Sequence, residues 1–246
     1  MRILGIIPAR YASTRFPGKP LVDIHGKTMI QRVYEQASQS EILSEVVVAT
    51  DDERILTHVN GFGGRAILTS NAHQSGTDRC AEVAEKLPRF EVFINIQGDE
   101  PYIHSDQIDL LCNCFESENT ELATLVKKIN TQEELNNPNS PKVLLNASSE
   151  AIYFSRAVIP YLRNVPPSEW LIAHVFYKHI GIYGYRADVL KKITKLGVSN
   201  LEKAEALEQL RWIENGYKIK VAVTNIETQA IDTPEDLQKV LAAQKS

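Results

Sequence analysis

Three basic residues, Arg10, Arg15 and Lys19, crowd a stretch of chain that has neither a helical nor a strand period. Pro17, Gly18 and Pro20 punctuate it, and proline fixes the backbone while glycine frees it, so this is a loop of definite shape. Three cations on one loop repel one another unless an anion sits among them. A nucleoside triphosphate fits that need, with each arginine offering a bidentate fork and the lysine a point charge. The competing reading is a solvated surface loop whose cations face water, since loops carry function often but not always. The order of a buried strand, a proline-flanked basic loop and then a helix favours the pocket. Ligands of open α/β sheets sit where loops leave the strand ends.

Two aspartates are the candidate metal ligands. The run Val92-Phe93-Ile94-Asn95-Ile96 is the most strand-like in the chain, and Gln97-Gly98-Asp99-Glu100-Pro101 follows it. A carboxylate at a strand end, after a glycine that permits close backbone approach, suits a hard divalent cation. Nucleotidyl transfer needs such an ion to neutralise phosphate charge. A simple turn accounts for the same residues equally well. Near the C-terminus, Thr233 reads as a helix N-cap, Pro234 as the first helical residue, and Glu235 and Asp236 as first-turn acids. Asp232 is left over, outside the helix, as a second metal carboxylate. Ser75-Gly76-Thr77-Asp78-Arg79 opens another helix. Its N-terminus could hold an anion or a base edge, but on its own the reading as a capped end is the stronger.

The elements that must position these residues alternate short β-branched runs with longer amphipathic stretches. That pattern predicts an α/β fold with a mostly parallel sheet flanked by helices. Helices are expected over residues 29–37, after Asp51 or Asp52, after Ser75, over 108–115 and over 201–213. Strands are expected over 3–7, 46–49, 66–68, 92–96, 122–126, 143–145, 152–154, 177–185 and 218–223. Gly61, Gly63 and Gly64 precede a strand, so they stop a helix and form no dinucleotide fingerprint. Residues 165–176, with two prolines and Trp170, have weak periodicity and read as a lid or a partner surface. On the strand 177–185, His179 and Tyr183 share a face.

At 246 residues the chain is expected to form one domain, and 43% apolar with 24% charged residues is ordinary for a globular protein. A net charge of −4 gives no support to nucleic-acid binding. No apolar run approaches the roughly 20 residues of a membrane span, and no signal peptide precedes the first strand. The expectation is a cytoplasmic protein without membrane or nucleic-acid partners. Cys80, Cys112 and Cys114 are too few for a disulfide framework and read as reduced thiols.

Taken together, the motifs resemble the acidic-sugar cytidylyltransferases. The matching segments, in order, are Ile7-Pro8-Ala9-Arg10, Gln74 to Arg79, Gln97 to Pro101, Tyr153-Phe154-Ser155-Arg156, His179 to Tyr185, Leu207 to Arg211 and Ile231 to Leu237. Many sugar nucleotidyltransferases carry Gly-x-Gly where this chain has Pro8-Ala9-Arg10, which argues against the hexose-phosphate branches. The resemblance is strongest to the branch acting on 3-deoxy-D-manno-octulosonate (Kdo). It implies a three-layer, Rossmann-like nucleotide-diphospho-sugar transferase fold over residues 1–246, with a small lid or dimer-contact subregion at about 150–185. It implies transfer of CMP from CTP to Kdo with release of pyrophosphate, magnesium as cofactor, and a cytoplasmic homodimer supplying lipopolysaccharide synthesis.

The same resemblance assigns residues. Ala9, Arg10, Arg15, Lys19, Ser75, Gly76, Arg79 and Gln97 would bind CTP. Arg10, Lys19, Asp99 and Asp232 would be catalytic, with magnesium on Asp99 and Asp232. Arg156, Arg163, His179, Tyr183, Glu208 and Gln209 would bind the sugar acid. Read alone, His179 fits a packed strand histidine and Glu208 a partner for a nearby cation. A CMP-sialic acid synthetase or an amino-Kdo enzyme is the alternative, and a non-catalytic nucleotide sensor a remoter one. An NAD enzyme is disfavoured because no Gly-x-Gly-x-x-Gly follows the first strand.

Overall fold

The apolar run at the N-terminus forms β1 (Ile3–Ala9), whose residues are buried except for half-buried Pro8. A strand covered on both faces reads as continuous hydrophobicity rather than alternation, as parallel sheets require. The structure is a computed structural model that describes residues 1–12 and 16–243. Arg15, predicted to bind the triphosphate, lies outside the described residues. The chain clusters into two compact units, residues 1–112 with 228–246, and residues 113–227.

In the first unit a short 3-10 turn (Lys19–Leu21) and a small antiparallel hairpin, β2 (Asp23–Ile24) with β3 (Lys27–Thr28), lead into α1 (Met29–Ala37). Then come β4 (Glu45–Thr50), α2 (Glu53–Gly61), β5 (Ala66–Leu68), α3 (Gly76–Lys86), β6 (Val92–Asn95) and α4 (Ser105–Asn113). β1 lies between β4 and β6, parallel to both, with Ile6 opposite Val47 on one side and Asn95 on the other. β5 adds in parallel outside β4. Side-chain caps set the helix starts: Thr28 accepts from Gln31 N and Asp52 from Arg54 N. Asp52 is therefore the cap, which leaves Asp51 to another role. Ser75 and Asp78 form a reciprocal capping box on α3.

The second unit contains β7 (Leu122–Lys128), α5 (Gln132–Asn136), β8 (Lys142–Leu145), β9 (Ala151–Ser155), α6 (Trp170–Ala173) and β10 (Tyr177–Arg186). These are followed by α7 (Ala187–Ile193), α8 (Asn200–Glu205), α9 (Gln209–Glu214) and β11 (Ile219–Thr224). β7 runs parallel to β11 and antiparallel to β10, while β8 pairs antiparallel with β10 and β9. The β7–β10 register shifts between Ile180 and Tyr183. Residues 165–176 form a 3-10 turn and α6, anchored by Trp170, whose indole donates to Val165 O at 2.8 Å and stacks on Phe176.

One predicted element is corrected. The periodic stretch 201–213 is two helices, because Ala206 adopts a left-handed conformation (φ 50°) between α8 and α9. Arg156 donates to the carbonyls of Glu205 (2.7 Å) and Ala206 (3.3 Å), satisfying groups that a continuous helix would have used itself. Across the break Arg211 grips Glu202 with a bidentate fork. The amphipathic period runs through the break, so hydrophobicity alone hides it.

After residue 227 the chain returns to the first unit and ends in α10 (Pro234–Ala243), where Thr233 and Asp236 exchange side-chain-to-backbone hydrogen bonds as a capping box. Ile231 is fully buried with Ile24, Met29, Leu237 and Val240, and Tyr102 packs against that cluster.

Candidate active site

β1 ends at buried Ala9, and exposed Arg10 follows at the C-terminal end of the strand. The basic loop is closed by Gly18, whose N–H donates to Tyr11 O at 3.0 Å. Gly18 has φ +73°, and a Cβ there would press on the Tyr11 ring at 3.2 Å, so glycine meets both conditions. The Tyr11 ring lies 3.4 Å from the Arg54 guanidinium, which forks onto Asp52 at 2.9 and 2.6 Å. Lys19 opens the rigid 3-10 turn, and its side chain points inward. Its Nζ is 2.8 Å from Asp99 Oδ2 and 3.2 Å from Asp232 Oδ1. The structure thus brings together the lysine and both predicted metal carboxylates.

Two local features place Asp99. A Cβ on Gly98 would stand 2.8 Å from Pro8 O, so only glycine lets this loop pass against the end of β1. Ile231 N donates to Asp99 O at 2.9 Å, which ties the segment carrying Asp232 to the loop carrying Asp99. Glu100 accepts from Thr228 Oγ1 at 2.7 Å. Burial pushes Glu100 up to about 7, against the lowering effect of the Thr228 bond and with a smaller contribution from Asp99.

Asp99 and Asp232 fit a magnesium ion by donor chemistry. Magnesium is held by one or two carboxylates with water and substrate phosphates completing its shell. Among the described residues no group of three or more His, Cys, Asp or Glu side chains gathers to cage a metal. Two converging carboxylates leave that shell open to phosphate.

The other predicted nucleotide residues divide. Ser75 caps α3 and Gly76 opens it, beside Asn95 and Pro8, where a Cβ would make ordinary contact at 3.5 Å. Gln97 lies two residues beyond the end of β6. Ala9, Arg10, Gly76 and Gln97 therefore share the C-terminal edge of the parallel strands with Lys19 and Asp99. Arg79 is different. It is only 4% exposed, and its guanidinium bonds Thr69 Oγ1 and Asp51 Oδ2, the latter at 3.1 Å. It braces α3 against the residues following β4 and β5 instead of presenting a charge.

The predicted sugar residues all lie in the second unit. Thr124 Oγ1 lies 2.9 Å from His179 Nε2 and within hydrogen-bond distance of the carbonyls of Ile182 (2.7 Å) and Ile180 (3.3 Å), which ties the imidazole to β7. Burial pulls His179 down to about 3, making it neutral at physiological pH. Its ring lies 5.1 Å from Tyr183 and 5.2 Å from Phe154. Tyr183 packs edge-on against Trp212, and burial raises its phenol well above the usual range, with the charges of Tyr185 and Glu208 adding to the shift.

Gln209 is 4% exposed and its Nε2 has no hydrogen-bond partner among the described residues, a cost of about 1–3 kcal/mol that a ligand oxygen would relieve. Arg163 is exposed on its loop. Arg156 spends its guanidinium on the carbonyls of Pro138, Glu205 and Ala206. It thus supports the α8–α9 break that places Glu208 and Gln209. Thr124, Glu205 and Thr228 were not singled out from the sequence. Each is an ordinary residue for its stretch, and only its tertiary partner marks it.

No described helix is long and apolar enough to cross a membrane. A sequence profile of the cytidylyltransferase family matches residues 4–219. The 3-deoxy-manno-octulosonate cytidylyltransferase of Parabacteroides distasonis is 59% identical over 98% of each chain. That of Bacteroides thetaiotaomicron is 56% identical over 97% of this chain and 96% of its own. A solved CMP:2-keto-3-deoxy-manno-octonic acid synthetase complexed with CTP superimposes with a TM-score of 0.92, at 44% identity and full coverage of both chains. The expected mostly parallel, helix-flanked fold is that of this neighbour. On its sequence, its fold and the motifs gathered at the strand ends, this chain belongs to the cytidylyltransferase family, among the 3-deoxy-manno-octulosonate cytidylyltransferases.

Proposed function

We propose that this chain transfers CMP from CTP to the anomeric hydroxyl of Kdo, giving CMP-Kdo and pyrophosphate. The observation that carries this reading is the convergence of Asp99 and Asp232 on Lys19 Nζ at the C-terminal edge of a parallel sheet. In-line attack on the α-phosphorus builds charge on the phosphate oxygens and the leaving pyrophosphate. Lys19 and Arg10 offset that charge, one from a rigid turn and the other from the strand end. Magnesium on Asp99 and Asp232 would supply further charge neutralisation and orient the phosphates.

The acceptor reading rests on His179, Tyr183, Glu208 and Gln209. A neutral imidazole, a protonated phenol and the unpartnered Gln209 amide offer hydrogen bonds to a polyhydroxy acid without excess charge. Arg163, exposed nearby in the chain, is the candidate cation for the acceptor carboxylate, with Arg156 holding the surrounding backbone. The same reading takes the enzyme as a magnesium-dependent homodimer working in the cytoplasm for lipopolysaccharide synthesis. Exposed Ile172 and Tyr161 in the second unit supply apolar surface that a partner copy would cover.

The test is pyrophosphate release from CTP and magnesium, screened over Kdo, its amino analogue and sialic acid, with sedimentation to give the assembly state. Turnover with Kdo well above the other two is the expected result. Turnover with sialic acid alone, or none with any acceptor, refutes the reading.

A further inference from the structure

Asp99 and Asp232 come from distant parts of the chain, and the segment that delivers Asp232 has no regular structure between β11 and α10. Such a segment is located by point contacts rather than by a ladder of backbone bonds. Two of these reach the loop Gln97–Pro101: Ile231 N to Asp99 O at 2.9 Å, and Thr228 Oγ1 to Glu100 Oε2 at 2.7 Å. Beyond them, Ile231 is fully buried and Asp232 begins the approach to the α10 capping box. Thr228 is thus bonded to the residue after Asp99, and Ile231 to Asp99 itself. Glu100, a carboxylate beside a metal-ligand candidate, is the receiving end of the Thr228 bond.

We propose that Thr228 is a positioning residue that, through its hydroxyl on Glu100, sets Asp232 opposite Asp99 and Lys19. The inference rests on the function proposed above for what the positioning serves, but the latch itself exists without substrate. Losing the hydroxyl leaves half-buried Glu100 without that donor, and the loss of the link frees the segment to shift. Ångström-scale misplacement of reacting groups costs up to about 10²-fold in rate.

The experiment compares wild type, Thr228→Val and Thr228→Ser as full chains. Hydrogen exchange of the peptide spanning 229–232 is read without substrate, and steady-state kinetics are read with magnesium titrated. Thr228→Val is expected to speed exchange in that peptide about tenfold, lower kcat by roughly tenfold and raise the half-saturating magnesium concentration. The KM for Kdo should stay within twofold of wild type. Thr228→Ser, which keeps the hydroxyl, should recover most of each loss. Should Thr228→Val fail to fold, Thr228→Ala carries the same readouts. Wild-type exchange and kcat in the folded variant overturn the proposal, as does a Thr228→Ser protein as impaired as the valine variant. A wild type whose 229–232 protection depends on Thr228 but which turns over no Kdo would refute the proposed function and leave the latch standing.

Discussion

Replacing Lys19 by methionine separates two roles that the geometry gives one side chain. Its Nζ lies 2.8 Å from Asp99 and 3.2 Å from Asp232, and the lysine side chain is 15% exposed. Breaking a fully buried ion pair costs about 3–5 kcal/mol. Here Asp99 and Asp232 keep 26% and 43% of their side chains in solvent, so screening reduces this to about 1–2 kcal/mol. For a protein of this size that is a fall in Tm of roughly 2–8 °C. The same change removes the lysine charge from beside two carboxylates, so the site should bind a divalent cation more tightly. At an effective dielectric near 20, one charge at 4 Å is worth about 4 kcal/mol, and partial exposure leaves a fraction of it. A tenfold gain in Mn2+ affinity of the nucleotide-free enzyme is therefore expected, with the lost Tm restored by saturating magnesium. Turnover should move the other way and fall about 10²-fold, as it does when a transition-state charge donor is removed. Mn2+ titration by electron paramagnetic resonance, thermal melts with and without magnesium, and pyrophosphate release measure the three effects. A methionine variant that binds Mn2+ no more tightly and turns over normally would refute the reasoning.

Gly98→Ala should displace the Asp99 loop, because its Cβ meets backbone at 2.8 Å. A kcat loss of at least tenfold with about 1–3 kcal/mol of destabilisation is expected, whereas Gly76→Ala, in ordinary contact, should melt like wild type. Arg79→Met strands Asp51 and should cost about 3–5 kcal/mol in urea unfolding, a loss that a solvent-facing triphosphate ligand would not produce. His179, depressed to about 3 in the fold against roughly 6.5 unfolded, binds its proton in the unfolded state first. Its contribution is present in full above pH 6.5 and is lost as pH falls toward 3. His179→Gln should therefore flatten the stability-versus-pH slope in that window by close to one proton, about 1.36 kcal/mol per pH unit. Unfolding free energies at roughly pH 7, 5.5 and 4.5 check it, and an unchanged slope would show that the imidazole titrates in the fold.

Local signals carried much of this protein into its sequence. The apolar run of β1, the proline and glycine of the basic loop, and the capping of α2, α3 and α10 depend on neighbours a few residues away, and the structure has them as read. Asp99 and Asp232 stood out because one follows a strand-end glycine and the other is unused by its helix cap. Other outcomes depended on contacts between segments distant in the chain. Nothing local distinguishes Arg79 and Arg156, which turn to Asp51 and to backbone carbonyls, from Arg10, which faces solvent. The break at Ala206 is invisible to periodicity, because Arg156 and Glu202 stabilise it from outside the 206–208 turn. Lys19 could be read as a phosphate ligand from its loop, but its place between two carboxylates exists only once the chain returns through Thr228 and Ile231 to bring Asp232 home. Residue type and near spacing select which groups are capable of chemistry. Which of them meet is set by long-range packing, because a side chain's partner lies wherever burial and hydrogen bonding bring the chain back.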